Sequence, residues 1–279
     1  MKIERMDLAD FGSPDDIAAQ IVRLEPTLPI PIPIEELAFQ LDIKKIEPFE
    51  DRGFEGALIT TQLKPNGIIL FNPSSISARK RFTIAHELGH FLIPSHVPPP
   101  GGFKCTAKDM MLTNAVDKAA RMELEANRFA AHMLMPTKMF RDDIYRLRHA
   151  TLEAVIELAR KYDTSREATA RRFINLHDEV CAIVQSRNDS VISVYRSRRF
   201  PYLWLDRGTA VPAGSITRSY QAAVGEVSPM EGVDPAIWLS GRSSETKGEL
   251  FEQVLIQKDG FRMTLLVFET HEEEDETWS

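Results

Sequence analysis

The chain is short of cysteine. Its 279 residues include only Cys105 and Cys181, and neither belongs to a Cys-x-x-Cys pair. That excludes a disulfide framework and predicts reduced thiols in a cytoplasmic protein. Long apolar runs are missing too: none approaches the ~20 residues of a membrane helix. The first residues, Met1 to Asp7, are charged with no apolar stretch behind them, so no signal peptide is expected. There is no excess of positive charge. The net charge is −7, which does not favour nucleic acid in bulk. Local basic clusters remain, at Arg166, Arg171 and Arg172 and at Arg196, Arg198 and Arg199. Much of the acidity lies in His271-Glu272-Glu273-Glu274-Asp275-Glu276, which reads as a solvated terminus. No internal repeat is visible. What is present, 43% hydrophobic and 27% charged residues, is ordinary for a globular protein.

The N-terminal part mixes helices and strands. Ser13-Pro14-Asp15-Asp16 is a helix start, and Ile17 to Leu24 carries helical apolar spacing. Prolines interrupt from Pro26 to Pro33, and Ile34 to Leu41 reads as a short helix. Strands are expected at Lys44–Pro48, Gly56–Thr61 and Gly67–Asn72, with Asn66-Gly67 as a hairpin turn. Asn72 to Ser75 should cap a helix over Ile76–Ile93, stopped by Pro94. A second long helix is expected from Ala115 to Leu134, because Ala119, Met122, Ala126, Phe129 and Met133 recur at steps of three and four. A helical pair follows, Leu152–Tyr162 and Arg166–Leu176, joined by the turn and cap Asp163-Thr164-Ser165. From Val180 onward the pattern is β, with hairpins about Asn188-Asp189 and Asp259-Gly260. The strand Gly67–Asn72 is a candidate edge for holding an extended peptide, or else a buried core strand.

The chemistry is concentrated in His86-Glu87-Leu88-Gly89-His90. On a helix, residues four apart are separated by about 400° of rotation, so both imidazoles leave one face, one turn apart. Two rings so placed can bind one metal ion. Glu87, next to the first ring, can reach a water activated there and act as general base. A catalytic zinc also needs a third protein ligand and an open position. Two residues compete for that role. His96 has the spacing of peptidases with His-Glu-x-x-His-x-x-Gly-x-x-His, but Ile93 occupies the glycine position, where a left-handed turn is unfavourable. Glu123 lies on the second long helix, with Asn127 four residues on and able to hydrogen-bond a ligand histidine. Glu125 points roughly 200° away from Glu123 and reads as solvated. His132, His149 and His177 read as ordinary residues. The donor set suits zinc, with manganese or iron as alternatives.

The run Arg81 to His90 and the run Glu123 to Pro136, in that order, resemble the ImmA/IrrE family of metallopeptidases. Ile34 to Ala38 and Phe103-Lys104-Cys105 are similar to further features of that family. The resemblance implies an α+β fold with a zincin-like metallopeptidase domain over residues 1–140. His86, His90 and Glu123 would be its metal ligands and Glu87 its catalytic carboxylate. By likeness to the longer stress-response members, residues 141–177 would form a helix-turn-helix-like segment and 178–279 a mixed α/β, GAF- or PAS-like sensor domain. The implied activity is site-specific cleavage of a helix-turn-helix repressor, which derepresses stress-response or mobile-element genes. The rival expectation is a DNA-binding transcriptional regulator that uses Leu152–Leu176 and has a ligand-sensing C-terminal domain. No membrane partner is expected.

Overall fold

The computed structural model describes residues 3–51, 53–106, 108–109, 117–239 and 248–270. The expected helix start at Ala115 and the acidic run His271–Glu276 lie outside the described residues. The chain divides into two compact units. One comprises Met1–Phe140 with Ala159–Ala168, the other Arg141–Leu158 with Thr169–Ser279. No helix among the described residues is long and apolar enough to cross a membrane.

In the first unit, helix α1 (Pro14–Leu24) starts as its sequence dictates. Ser13 Oγ accepts from Asp16 N, and Pro14 takes the first helical position, where a missing N–H costs nothing. Helix α2 (Ile34–Gln40) leads into strand β1 (Ile43–Pro48). Strands β2 (Gly56–Ile59) and β3 (Gly67–Phe71) precede helix α3 (Ser77–Leu92), then come β4 (Phe103–Cys105) and helix α4 (Lys118–Leu134). The sheet order is β1-β3-β2-β4. β1 runs parallel to β3, and β2 is antiparallel to both β3 and β4. The core buries Ile17 and Ile21 of α1, Leu37 of α2, Leu58 and Ile69 of the sheet, Ile84, Leu88 and Phe91 of α3, and Phe129 and Met133 of α4. Gly89 allows α3 and α4 to pack closely, since a Cβ there would sit 3.0 Å from the Phe129 ring.

Several local expectations are corrected. β3 lies inside the sheet, between β1 and β2, so it is not the free edge. Asn66-Gly67 is no tight hairpin, because residues 60–66 all lie between the paired strands and Gly67 opens β3. Gly67 serves close packing instead: a Cβ would meet Ile43 Cδ1 at 2.9 Å. The cap expected from Asn72 to Ser75 does not form. Asn72 Oδ1 accepts from Ser74 N and its Nδ2 donates to Phe54 O, and the N-cap of α3 is Ile76 with no side-chain bond. At its other end α3 stops as expected before Pro94, with Ile93 held at φ −70°, ψ 118°. There the buried Lys64 donates through Nζ to the carbonyls of His90 and Ile93, at 2.7 and 2.9 Å. A cation is favourable at that negative end of the helix.

Helix α5 (Thr137–Leu147) was not legible in its charged sequence, although Phe140 and Ile144, four apart, are buried. Helices α6 (Leu152–Tyr162) and α7 (Arg166–Leu176) fall where expected, with Asp163 at φ 49° and Ser165 Oγ accepting from Ala168 N. The second unit carries β5 (Val180–Arg187), β6 (Ser190–Arg196), β7 (Glu231–Val233), β8 (Gly248–Ile256) and β9 (Phe261–Thr270). They form one antiparallel sheet in the order β6-β5-β9-β8-β7. Both hairpins form on their positive-φ pairs, Asn188-Asp189 and Asp259-Gly260. Val184, Val191, Phe200, Trp238, Leu266 and Phe268 build its core.

Gly102 joins the loop to β4. Its φ is +95°, and a Cβ there would lie 2.0 Å from Leu58 O. Gly102→Ala should therefore destabilise the protein by about 3 kcal/mol or more, from backbone strain plus overpacking. Urea denaturation of the purified variant checks this, and an unchanged midpoint would contradict the packing described.

Candidate metal centre

Helix α3 sets His86 and His90 one turn apart, both wholly buried. Their Nε2 atoms face each other at 3.1 Å. Helix α4 lies alongside and brings in Glu123, whose Oε2 is 3.2 Å from His86 Nε2 and whose Oε1 is 3.4 Å from His90 Nε2. The expected residues therefore meet. A fourth donor joins them that sequence reasoning did not assign. Cys105 of β4 is buried, with Sγ 3.2 Å from His86 Nε2 and 3.6 Å from Glu123 Oε2. The ligand atoms of these four residues all lie within 4.8 Å of one another. Cys105 could have been suspected as one of two cysteines in the chain, but only the pairing of β4 with β2 carries it to the helix.

The backs of both rings are held. His86 Nδ1 lies 2.9 Å from Asn127 Oδ1, and Asn127 Nδ2 donates to Asp109 O at 3.0 Å. Since an amide oxygen only accepts, His86 carries its proton on Nδ1 and turns the lone pair of Nε2 inward. His90 Nδ1 is 3.0 Å from His96 Nδ1, and His96 Nε2 is 3.0 Å from Glu125 Oε2. His96 Nε2–H donates to the Glu125 carboxylate. His96 Nδ1 then accepts from His90 Nδ1, and the lone pair of His90 Nε2 also points inward. His96 thus reaches the centre from behind, not as the third ligand that its spacing allowed. Glu125 is not merely solvated, as its angular position suggested: it receives His96 on one oxygen and Arg121 Nε on the other, at 2.9 Å. Among the other described histidines, none joins the donor cluster. His132 pairs with Asp15 at 2.8 Å, and His149 is exposed beside Glu179.

The electrostatics are those of a dry pocket. Burial drives His90 down to about 3, against the hydrogen bond to Glu123, and drives His96 down to about 4, against Glu125. At His86 burial also opposes charge, but the hydrogen bond to Glu123 and the charges of Glu87 and Glu123 outweigh it and raise its pKa. Glu123 resists its own burial and is held well below the usual carboxylate range by hydrogen bonds to His86 and His90. Burial together with the charges of Glu87 and Glu123 pushes the Cys105 thiol well above its ordinary value.

Glu87 is the exceptional group. It is fully buried, and neither carboxylate oxygen has a hydrogen-bond partner of normal geometry. Burial raises its pKa to about 7, partly offset by His86 and by the nearby Cys105 thiol. Such a group costs free energy unless something present during function satisfies it. The fold keeps space for it: a Cβ on Gly56 of β2 would lie 2.4 Å from Thr83 Cγ2 and 2.8 Å from Glu87 Oε1. Inward-facing imidazole lone pairs 3.1 Å apart repel each other with no proton or cation between them. The donors present therefore fit a divalent cation.

If His96 orients His90, His96→Ala should weaken divalent-ion affinity by about 10- to 100-fold while the helical circular dichroism is kept. Competition against a chromophoric chelator measures this. Undiminished affinity would reduce His96 to packing.

Comparison with known proteins agrees with this centre. Residues 39–173, which contain all the donors, match the IrrE N-terminal-like domain, a metallopeptidase family. No curated protein matches the sequence. Among solved structures, the chain is similar to a Mycobacterium tuberculosis transcriptional regulator, with 13% identity and a TM-score of 0.57. That match covers 95% of this chain and 80% of the other. At such identity the likeness concerns the fold alone. Residues 39–173 thus carry an IrrE N-terminal-like domain, a match that supports placing this part of the chain in the ImmA/IrrE family.

Proposed function

We propose that the protein is a zinc-dependent endopeptidase that cuts a helix-turn-helix repressor at one site. The observation that carries the hydrolytic part is the buried Glu87 carboxylate, unsatisfied on both oxygens beside a convergent donor set. His86, His90 and Glu123 would hold the ion, with zinc suited to two imidazoles and a carboxylate. The chemistry supplied by such an ion is Lewis acidity, which eases deprotonation of water and polarises the scissile carbonyl. Glu87 takes the proton of the attacking water as its oxygen bonds to the carbonyl carbon. The same carboxyl then delivers the proton to the leaving amine nitrogen as the C–N bond breaks. Asn127 and the His96–Glu125 pair keep both imidazoles aimed during this cycle, and buried Phe103, stacked 4.2 Å from His90, helps keep bulk water out.

The repressor as substrate rests on the family match. For the second unit we infer a sensor role, supported by a single antiparallel sheet of the kind a GAF-like domain would have. The rival, direct DNA binding through α6 and α7, finds less support in the side chains. Arg172 is buried, Arg171 lies over the Tyr195 ring, and Arg196 and Arg199 donate to the carbonyls of Phe200 and Asp178.

Two measurements test these readings. Incubated with the repressor encoded beside its gene, the metal-loaded protein should make one cut, abolished by a chelator. Glu87→Gln should keep the metal yet lose about 10²- to 10⁴-fold in cleavage rate. A variant that cuts at the normal rate would remove Glu87 from the chemistry. For the second unit, a metabolite present at 100 times its Kd should stabilise the full chain by about 2.7 kcal/mol in a thermal-shift screen. Silence across a broad metabolite set would favour a purely structural unit.

A further inference from the structure

The fourth donor raises a conflict. A zinc ion with four protein ligands is a closed, structural site, whereas hydrolysis needs an open position. Cys105 makes four, yet Glu87 stands beside the centre with two unsatisfied oxygens, which a purely structural site would leave without purpose. We propose that the Cys105 sulfur is a removable fourth ligand: it closes the metal centre at rest, and its withdrawal with β4 opens the position that hydrolysis uses. This rests on reading the centre as that of a metal-dependent peptidase.

The spacing supports ligation. With bonds of about 2.0–2.1 Å to nitrogen or oxygen and 2.3 Å to sulfur, tetrahedral ligands lie about 3.3 Å apart, or about 3.6 Å where sulfur is one of the pair. Among the donors here, the nitrogen and oxygen separations are 3.1, 3.2 and 3.4 Å. Those to sulfur are 3.2, 3.6 and 4.0 Å. Sulfur thus sits at the fourth corner of a cage of the right size. A buried cysteine is more often a small apolar filler. Here, however, its Sγ lies within 3.2 to 4.0 Å of two imidazoles and a carboxylate.

The elements that carry the donors differ in how firmly they are held. His86, His90 and Glu123 stand within long, mutually packed helices. Cys105 ends a three-residue strand that, among the described residues, is last in the sheet and paired with β2 alone. Loading the ion breaks the Cys105 S–H bond, releases that proton to solvent and forms a sulfur–ion bond. Opening breaks the sulfur–ion bond, and the sulfur recovers a proton from solvent as water takes the vacated position.

Cobalt(II) substitution of the full chain tests this without any substrate. A sulfur-to-cobalt charge-transfer band is expected in the unmodified protein. It should be absent from Cys105→Ala and Cys105→Ser, both still binding one cobalt. Acetohydroxamate, which needs open coordination positions, should bind these variants at least about tenfold tighter. Its binding to the unmodified protein should bleach the band. Alkylation of the unmodified protein adds a reading that does not depend on the variants folding: iodoacetamide should label Cys105 slowly with cobalt bound and faster once acetohydroxamate is added. Absence of the band overturns the proposal. So does equal hydroxamate affinity, loss of cobalt from folded variants, or labelling that ignores acetohydroxamate. Failure of every form to cut a repressor, with these spectra as expected, would sink the peptidase reading and leave the removable ligand standing.

Discussion

Inward-facing lone pairs in a dry pocket are the constraint around which the first unit is arranged. His86 and His90 point their Nε2 atoms at one spot, and the Glu123 carboxylate points there too. Without a proton or a cation between them the imidazoles would repel, and the buried Glu87 carboxylate bears a desolvation cost with little return. Packing maintains the convergence. α3 and α4 meet at Gly89 and Phe129, which sets the helices close enough for Glu123 to span the gap. β2 presents a bare Gly56 to Glu87, where a Cβ would lie 2.8 Å from its Oε1, so the carboxylate has room. The hydrophobic core of this unit is thus also the jig for its polar centre.

Outside the donors, the same elements fix which nitrogen of each ring faces inward. Asn127 lies one turn beyond Glu123 on α4, so one helix supplies both a donor and the group that orients His86. His96 and Glu125 perform the matching task for His90. Glu125 faces away from Glu123 along the helix, yet the chain beyond α3 curls round to meet it. Two carboxylates two residues apart therefore serve one centre from opposite sides.

The sequence disclosed most readily what depends on local spacing. His86, Glu87 and His90 are legible because one helical turn aligns them, and Glu123 with Asn127 because they share a helix face. The hairpins at Asn188-Asp189 and Asp259-Gly260 were legible because two adjacent residues must both accept positive φ. What long-range pairing decides stayed hidden. Cys105 reaches the centre only through the Gly56↔Cys105 register of β2 with β4. Gly67 suggested a turn, but its neighbours show a packing role created by β1 lying parallel to β3. Lys64 seals α3 from a loop far away in sequence, and nothing in its neighbours announces a buried lysine.

The Gly56↔Cys105 pairing also links Glu87, the proposed general base, to Cys105, the proposed fourth donor. Gly56 faces Glu87 across the gap where a Cβ cannot fit, and its register partner carries the sulfur toward the same centre. A shift of β4 along β2 by one residue would turn Lys104 inward and Cys105 outward, because successive strand side chains face opposite sides. Glu87, fixed by α3 and facing Gly56 of β2, would hardly move. The geometry thus separates Glu87, His86, His90 and Glu123, held by the packed helices α3 and α4 against β2, from Cys105 on a short edge strand. Under the proposal of a removable Cys105, a motion confined to that strand would change the donor set and leave Glu87 and the other three donors in place.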